Sequence, residues 1–302
     1  MYHLPTCLCK ASFVTINPTL GHGGVRNFGS AFLPPIHQAT RIATSRADGK
    51  TKAQIQNLTH AQSKRDVQQL QLGLLKDLNR LQQGSEPTAV VDSELNARID
   101  SFELAFRMQT EAPEIFDLSG ETEATQKLYG IDEEPTSNFG TQCLLARRLS
   151  ESGVRFVQVS HAYWDQHSDL KKEHSRLAKE VDKPIAGLLR DLKQQGLLED
   201  TLLMWGAEFG RTPTAQGKNG RDHNPHAFTY WMAGGGVKAG FSYGESDDFG
   251  FYAARDKVHV HDLHATILHL LGLDHERLTF HYGGRDFRLT DVEGHVVDQI
   301  FA

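Results

Sequence analysis

The sequence predicts an α/β fold, a mostly parallel sheet flanked by helices with a helical insert over Lys52–Leu149. Three observations predict it. Short apolar runs alternate with amphipathic stretches through Val154–Ala302, the pattern of strands joined by crossover helices. The insert shows apolar residues at three- and four-residue spacing. With 302 residues, the chain is long enough to bury a large core without disulfides or metals to hold it together.

Taken in order, Met1 to about Ser45 is punctuated by Asn17-Pro18, Gly23-Gly24 and Pro34-Pro35, and reads as loop around one strand, Ser12–Ile16. The insert predicts a helix over Gln54–Leu81, from Ile55, Leu58, Val67, Leu70, Leu74, Leu75, Leu78 and Leu81. A second helix is predicted over Ser93–Thr110 and stopped by Pro113, then two more over Thr122–Tyr129 and Phe139–Ser152. Val154–Ser160 predicts a strand. Asp169–Gln195 predicts a long helix, bent or interrupted near Pro184 and ended by Gly196. Thr201–Trp205 and Ala227–Ala233 are strand-like, and Gly234-Gly235-Gly236 reads as a tight turn. Lys257–His261 reads as extended. Asp262 then caps a helix over His264–Leu271, with Gly272 just past its end.

Composition narrows the function. The formal charge is −6, which argues against nucleic acid as a partner. No apolar run approaches the ~20 residues that span a bilayer. Cys7, Cys9 and Cys143 match neither a disulfide framework nor a zinc knuckle. Met1–Lys10 lacks the pattern of a signal peptide, so the compartment stays open. Histidine is abundant, at 16, and most of it lies from His161 onward. Imidazole is the commonest metal ligand and proton carrier.

Ligands of α/β sheets bind beyond the carboxyl ends of strands, so the residues around each strand end are read first. After Val154–Ser160 comes Trp164-Asp165-Gln166-His167; after Thr201–Trp205 comes Glu208-Phe209-Gly210-Arg211; before Ala227–Ala233 come Asp222-His223 and His226. Asp165 and His167, two apart, share a face in extended backbone and reach one ion, or else sit in a solvated turn. Glu208 reads as a further ligand, a helix cap or a partner of Arg211. Arg211 suits bidentate grip of an anionic oxygen, or a salt bridge to Glu208 or Asp222. Carboxylates mixed with imidazoles suit Zn, Mn or Fe better than Ca or Mg. Asp165, His167 and His223 also form the two-His-one-carboxylate set of non-haem iron oxygenases, a reading that the strand–helix alternation opposes.

These loops carry a resemblance. Gly153–Val159 (GVRFVQV), Trp164–His167 (WDQH), Gly196–Leu203 (GLLEDTLL), Glu208–Pro213 (EFGRTP), Gly220–His223 (GRDH), Ala233–Lys238 (AGGGVK), Asp262–Leu268 (DLHATIL) and Gly284–Asp291 (GRDFRLTD) resemble the bacterial domain-of-unknown-function 1501 family. Glu103–Thr110 and Leu118–Thr122 resemble it too. That family looks like a branch of the alkaline phosphatase and sulfatase superfamily. The resemblance implies one alkaline-phosphatase-like domain over residues 1–302, with 52–149 a helical subdomain and 154–302 carrying the site. It implies a metal-dependent hydrolase acting on a small anionic phosphate or sulfate ester. One or two Zn or Mn ions would be held by Asp165, His167, Glu208 and His223. Arg211 and His226 would serve the anion. Phe209 stands where the superfamily usually has His, and Asp165-x-His167 is tighter than its usual spacing. The family's upstream segment, with export signal, first strand and nucleophile, is missing from this sequence. The expectation is an N-terminally truncated member of a family exported to the periplasm. The alternative is a non-catalytic remnant or a binding or scaffold protein that keeps the fold.

Overall fold

A computed structural model of the chain describes residues 13–21, 23–34, 37–47, 50–55, 64–83, 106 and 113–302. It is mixed α/β, with a small parallel three-strand sheet and several helices. The chain divides into two compact units, residues 1–162 with 180–188, and residues 163–179 with 189–302.

The first unit is built on β1 (Phe13–Ile16), flanked by β2 (Thr40–Ala47) and β4 (Phe156–Val159), both parallel to it. β3 (Lys50–Ile55) adds an antiparallel edge, giving the order β3-β2-β1-β4. Val14, Thr15 and Ile16 are all fully buried, as a central strand covered on both faces requires. Val14, Ile16 and Ile42 pack with Leu145 and Leu149 of a helix over Ser137–Glu151. Two further helices of this unit are α1 (Arg65–Gln83) and α2 (Glu123–Tyr129), so the Ser137–Glu151 helix is α3.

An ion cluster ties α3 to the segment before α2. Glu121 accepts from Arg147 Nη2 at 2.8 Å and from Arg148 Nη1 at 2.7 Å, and Arg148 Nε donates to the carbonyl of Ile115 at 2.7 Å. The side chains of Glu121 and Arg147 are almost buried, so they depend on these partners for solvation, and Arg147 also donates Nη1 to Glu151 at 2.7 Å.

In the second unit the strands pair only among themselves. β5 (Leu203–Trp205) runs antiparallel to β8 (Trp231–Ala233). β6 (Gly210–Gln216) and β7 (Gly220–Asn224) form a hairpin, as do β11 (Thr279–Tyr282) and β12 (Arg285–Arg288). β9 (Glu245–Ser246) pairs with β10 (Ala253–Arg255). Of the parallel sheet expected of residues 154–302, β4 takes its place beside β1, whereas residues 163–302 form two-stranded antiparallel pairs. Two of these pairs follow from turn chemistry. Gly217-Lys218-Asn219 and Gly283-Gly284 reverse the chain within two or three residues, and a reversal that short gives antiparallel neighbours.

Three other expectations are corrected. β2 and β3 occupy a stretch read as loop and as the start of a helix. Gln54 and Ile55 belong to β3, with Ile55 opposite Ile42, and α1 begins only at Arg65. The Asp48-Gly49 dipeptide between those strands was the missed signal. Residues 113–116 are helical, so Pro113 sits within a helical segment whose upstream neighbours lie outside the described residues. The helix predicted over Ser93–Thr110 lies, Phe106 apart, outside the described residues. α4 (Leu170–Gln194) runs unbroken through Pro184 and ends at Gly196, which takes φ +69° while Leu197 N donates to the carbonyl of Leu192. Finally, α5 spans Val260–Leu270 and its N-cap is His259. Asp262 is the third helical residue, accepting from His259 N at 2.8 Å while His259 Nδ1 accepts from His261 N. Gly272, at φ +76°, follows its end as expected. No described helix is long and apolar enough to cross a membrane.

The ion cluster gives a first prediction. Glu121→Gln takes one carboxylate from both guanidinium groups, while Glu151 still accepts from Arg147 Nη1 at 2.7 Å, and lowers stability by about 1.5–3 kcal/mol. Urea unfolding measures it, and a loss under ~1 kcal/mol would mean that water compensates both arginines.

Candidate metal centre

Residues 163–169 form the connection that enters α4. It is bracketed by two left-handed residues, Tyr163 at φ +74° and Asp169 at φ +51°. Such backbone is costly for non-glycine residues and persists only where surrounding bonds hold it. Here they do. Asn219 in the hairpin turn accepts from Asp169 N through its side chain (3.0 Å) and from Leu170 N through its carbonyl (3.1 Å). Its Nδ2 donates back to Asp169 Oδ1 at 3.1 Å. Arg221 N donates to the carbonyl of Gln166 at 3.1 Å. Gly220 makes this docking possible, because a Cβ there would stand 1.8 Å from the His167 carbonyl oxygen.

The hairpin delivers the remaining side chains. Arg211 of β6 lies directly opposite His223 of β7, so both project from the same face. The register shifts between Arg211 and Ala215, around Pro213, which cannot donate to a ladder. Asp165, His167 and His223 then converge, offering one ligand atom each within 4.8 Å of one another. Asp165 Oδ1 is 2.9 Å from His167 Nε2, 3.0 Å from His223 Nε2 and 2.6 Å from Arg211 Nη2. The two imidazole Nε2 atoms are 3.1 Å apart. All three ligand residues are exposed, so the cluster opens to solvent. Beside it lies an open cavity of about 380 Å³, lined by Tyr163, Asp165, Gln166, His167, Glu173 and Arg176 among others.

Two neighbours orient the imidazoles. His167 Nδ1 contacts Gln216 Oε1, an acceptor for a proton on Nδ1, so Nε2 is the nitrogen turned to the cluster. The Phe209 ring lies against His223, 4.4 Å between centroids, and walls that side with carbon. Desolvation pushes the Asp165 carboxyl up, but hydrogen bonds from Arg211 and His223, with the charges of Arg211 and His167, outweigh it. The carboxyl is held down to about 2. Asp165 is thus a carboxylate at any ordinary pH.

Residues 10–301 match a family model described as "Protein of unknown function (DUF1501)". The chain belongs to the DUF1501 family. No curated protein and no solved structure matches it.

Not every predicted site residue of this DUF1501 chain reaches the cluster. Asp165, His167, His223 and Arg211 do. Glu208 stands outside it, exposed in the bend before β6. Its charge acts instead on Tyr230, whose phenol is pushed up by burial first and by Glu208 second, and whose hydroxyl donates to the Ala207 carbonyl at 2.6 Å. His226 also stands outside, its ring 5.0 Å from that of Tyr252. Gln216, Gln166 and His174 are the neighbours that sequence reasoning missed. No spacing marks Gln216; its role follows from a hairpin register visible only in three dimensions.

His174 on α4 stands edge-on to Trp164 at 5.3 Å, with Nδ1 buried and unpartnered among the described residues. Burial, with the charge of Arg211, lowers its pKa against the raising effect of a backbone hydrogen bond at Leu170. A histidine lowered in the folded state is held neutral there, while the unfolded chain takes up its proton near the usual value of about 6.5. Stability therefore falls as pH drops through about 6.5. Melting temperature measured from pH 7.5 to 5 should decline, and less steeply in His174→Gln; an identical slope in the variant would assign the effect to other groups.

Proposed function

We propose that the DUF1501 chain holds one divalent cation on Asp165, His167 and His223 and is a metal-dependent hydrolase of phosphate or sulfate esters, akin to the alkaline phosphatases and sulfatases in reaction and in fold. The observation that carries the reading is the triangle of donor atoms, with edges of 2.9, 3.0 and 3.1 Å. Ligands bound at about 2.0–2.2 Å stand roughly 2.8–3.1 Å apart at octahedral angles and roughly 3.3–3.6 Å apart at tetrahedral ones, so the triangle fits the former as it stands. The donors fit the group in kind as well as in spacing: a permanent carboxylate, and an imidazole whose Nε2 faces the cluster while Nδ1 contacts Gln216. Nitrogen and oxygen donors together favour Zn or Mn. With Glu208 outside and Phe209 against His223, one ion fits better than two.

When bound, such an ion polarises an ester oxygen and lowers the pKa of a water. The chain supplies the rest. Asp165, His167 and His223 fix the ion's position, Gln216 keeps His167 in the ligating tautomer, and the Arg211 fork orients the anionic group of the ester. The cavity beside Asp165 leaves room for the ester's organic part.

The same three donors support a second reading, an iron-dependent oxygenase. One set of measurements separates the possibilities. The chelator-stripped chain is titrated calorimetrically with Zn²⁺ and Mn²⁺, then assayed on aryl phosphates and aryl sulfates. We expect one ion per chain. Asp165→Asn, His167→Gln and His223→Gln should each abolish stoichiometric binding, Gln216→Ala should weaken it about 10–100-fold, and Glu208→Gln should leave it unchanged. Ester hydrolysis should require the ion. Absence of a stoichiometric ion would defeat the site; a bound ion without hydrolysis would favour a binding or scaffold role; Fe²⁺-dependent oxygen consumption would favour the oxygenase.

A further inference from the structure

Arg211 touches the same oxygen that the proposed ion requires. Its Nη2 lies 2.6 Å from Asp165 Oδ1, while Nη1 is buried without a hydrogen-bond partner among the described residues. A buried guanidinium nitrogen left unpaired is costly, and it points to an acceptor that completes the fork. The Arg211 side chain is mostly buried, so solvent screens its charge only in part.

We infer that Arg211 is an internal stand-in for the ion, and that cation and oxyanion bind this site cooperatively because each removes Arg211 from the other's path. The inference rests on the cation reading given above. With the site free of metal, the guanidinium balances the Asp165 carboxylate. A dication on Asp165, His167 and His223 would share Oδ1 with a guanidinium, and the two like charges repel at that separation. The ion therefore displaces Arg211 from Asp165. Both Nη groups are then released toward an acceptor, and a tetrahedral oxyanion such as sulfate, phosphate or the head of an ester matches the fork geometrically. The oxyanion in turn offsets the charge of ion and guanidinium together. Coupling of this kind is reciprocal, so the anion tightens the ion by the factor by which the ion tightens the anion, typically about 5–150-fold.

The test uses the full chain, Mn²⁺ as the ion and sulfate as the anion, with chloride making up equal ionic strength. Calorimetry should show Mn²⁺ binding the unaltered chain about tenfold more tightly in saturating sulfate. Arg211→Gln should bind Mn²⁺ alone more tightly than the unaltered chain and gain nothing from sulfate. Arg211→Lys, which keeps the charge but not the fork, should resemble the unaltered chain without sulfate and lose most of the gain with it. Mn²⁺ binding that ignores sulfate in the unaltered chain overturns the inference while leaving the cation site standing. So does an Arg211→Gln variant that binds Mn²⁺ no better, or that still responds to sulfate. No Mn²⁺ binding in any form of the chain would remove the cation site itself, and the coupling with it.

Discussion

A single carboxylate oxygen organises the centre. Asp165 Oδ1 has two imidazole nitrogens and a guanidinium nitrogen within 3.0 Å. One oxygen has too few lone pairs to satisfy three such groups well, and the backbone that carries them is held in register. Arg211 and His223 are locked opposite each other by the β6–β7 register, and the chain through Asp165 and His167 is bonded along the same hairpin. Crowding of this sort is a poor hydrogen-bonding arrangement and a good coordination sphere, because an ion at the centre would bond the oxygen and both imidazoles and leave Arg211 for another acceptor.

The hairpin is thus the device that turns separated sequence into a site. Its turn supplies Asn219, whose side chain and backbone hold the first residues of α4. Gly220 keeps the approach open, and Gln216 reaches His167 from the end of β6. Five consecutive residues, Gln216 to Gly220, thereby carry the reversal, the docking and the orientation of a ligand. Pre-organisation of this kind places a site on hydrogen-bonded backbone, where side-chain positions are better fixed than on a free loop.

Much of this was legible in the sequence, and the failures have physical causes. Asp165, His167 and His223 are visible as ligand types beside apolar runs, and all three meet. Glu208 carried the same sequence credentials and does not arrive, because a bend before β6 decides where its carboxylate goes and nothing in residue type records that bend. β1, α4 and the Gly196 stop follow from local pattern alone. Of the strands expected in the second half, β4 joins the parallel sheet, β5 and β8 pair antiparallel, and β6 and β7 go unforeseen because GRTPTAQ and GRDHN are too polar to read as strands. Their pairing is set by the turn between them and by Asn219, interactions that hydrophobic periodicity does not register. The sign of the Arg211 contact was likewise open: Glu208 and Asp222 were the partners that proximity in sequence suggested, and the partner in space is Asp165.

X-ray absorption at the zinc K-edge of the chain loaded with one equivalent of Zn²⁺ reads the centre most directly. Two imidazole nitrogens and at least one oxygen at about 2.0–2.2 Å is the result that Asp165, His167 and His223 require. A shell of oxygens alone, with no imidazole scattering, would place the ion elsewhere and contradict the centre described here.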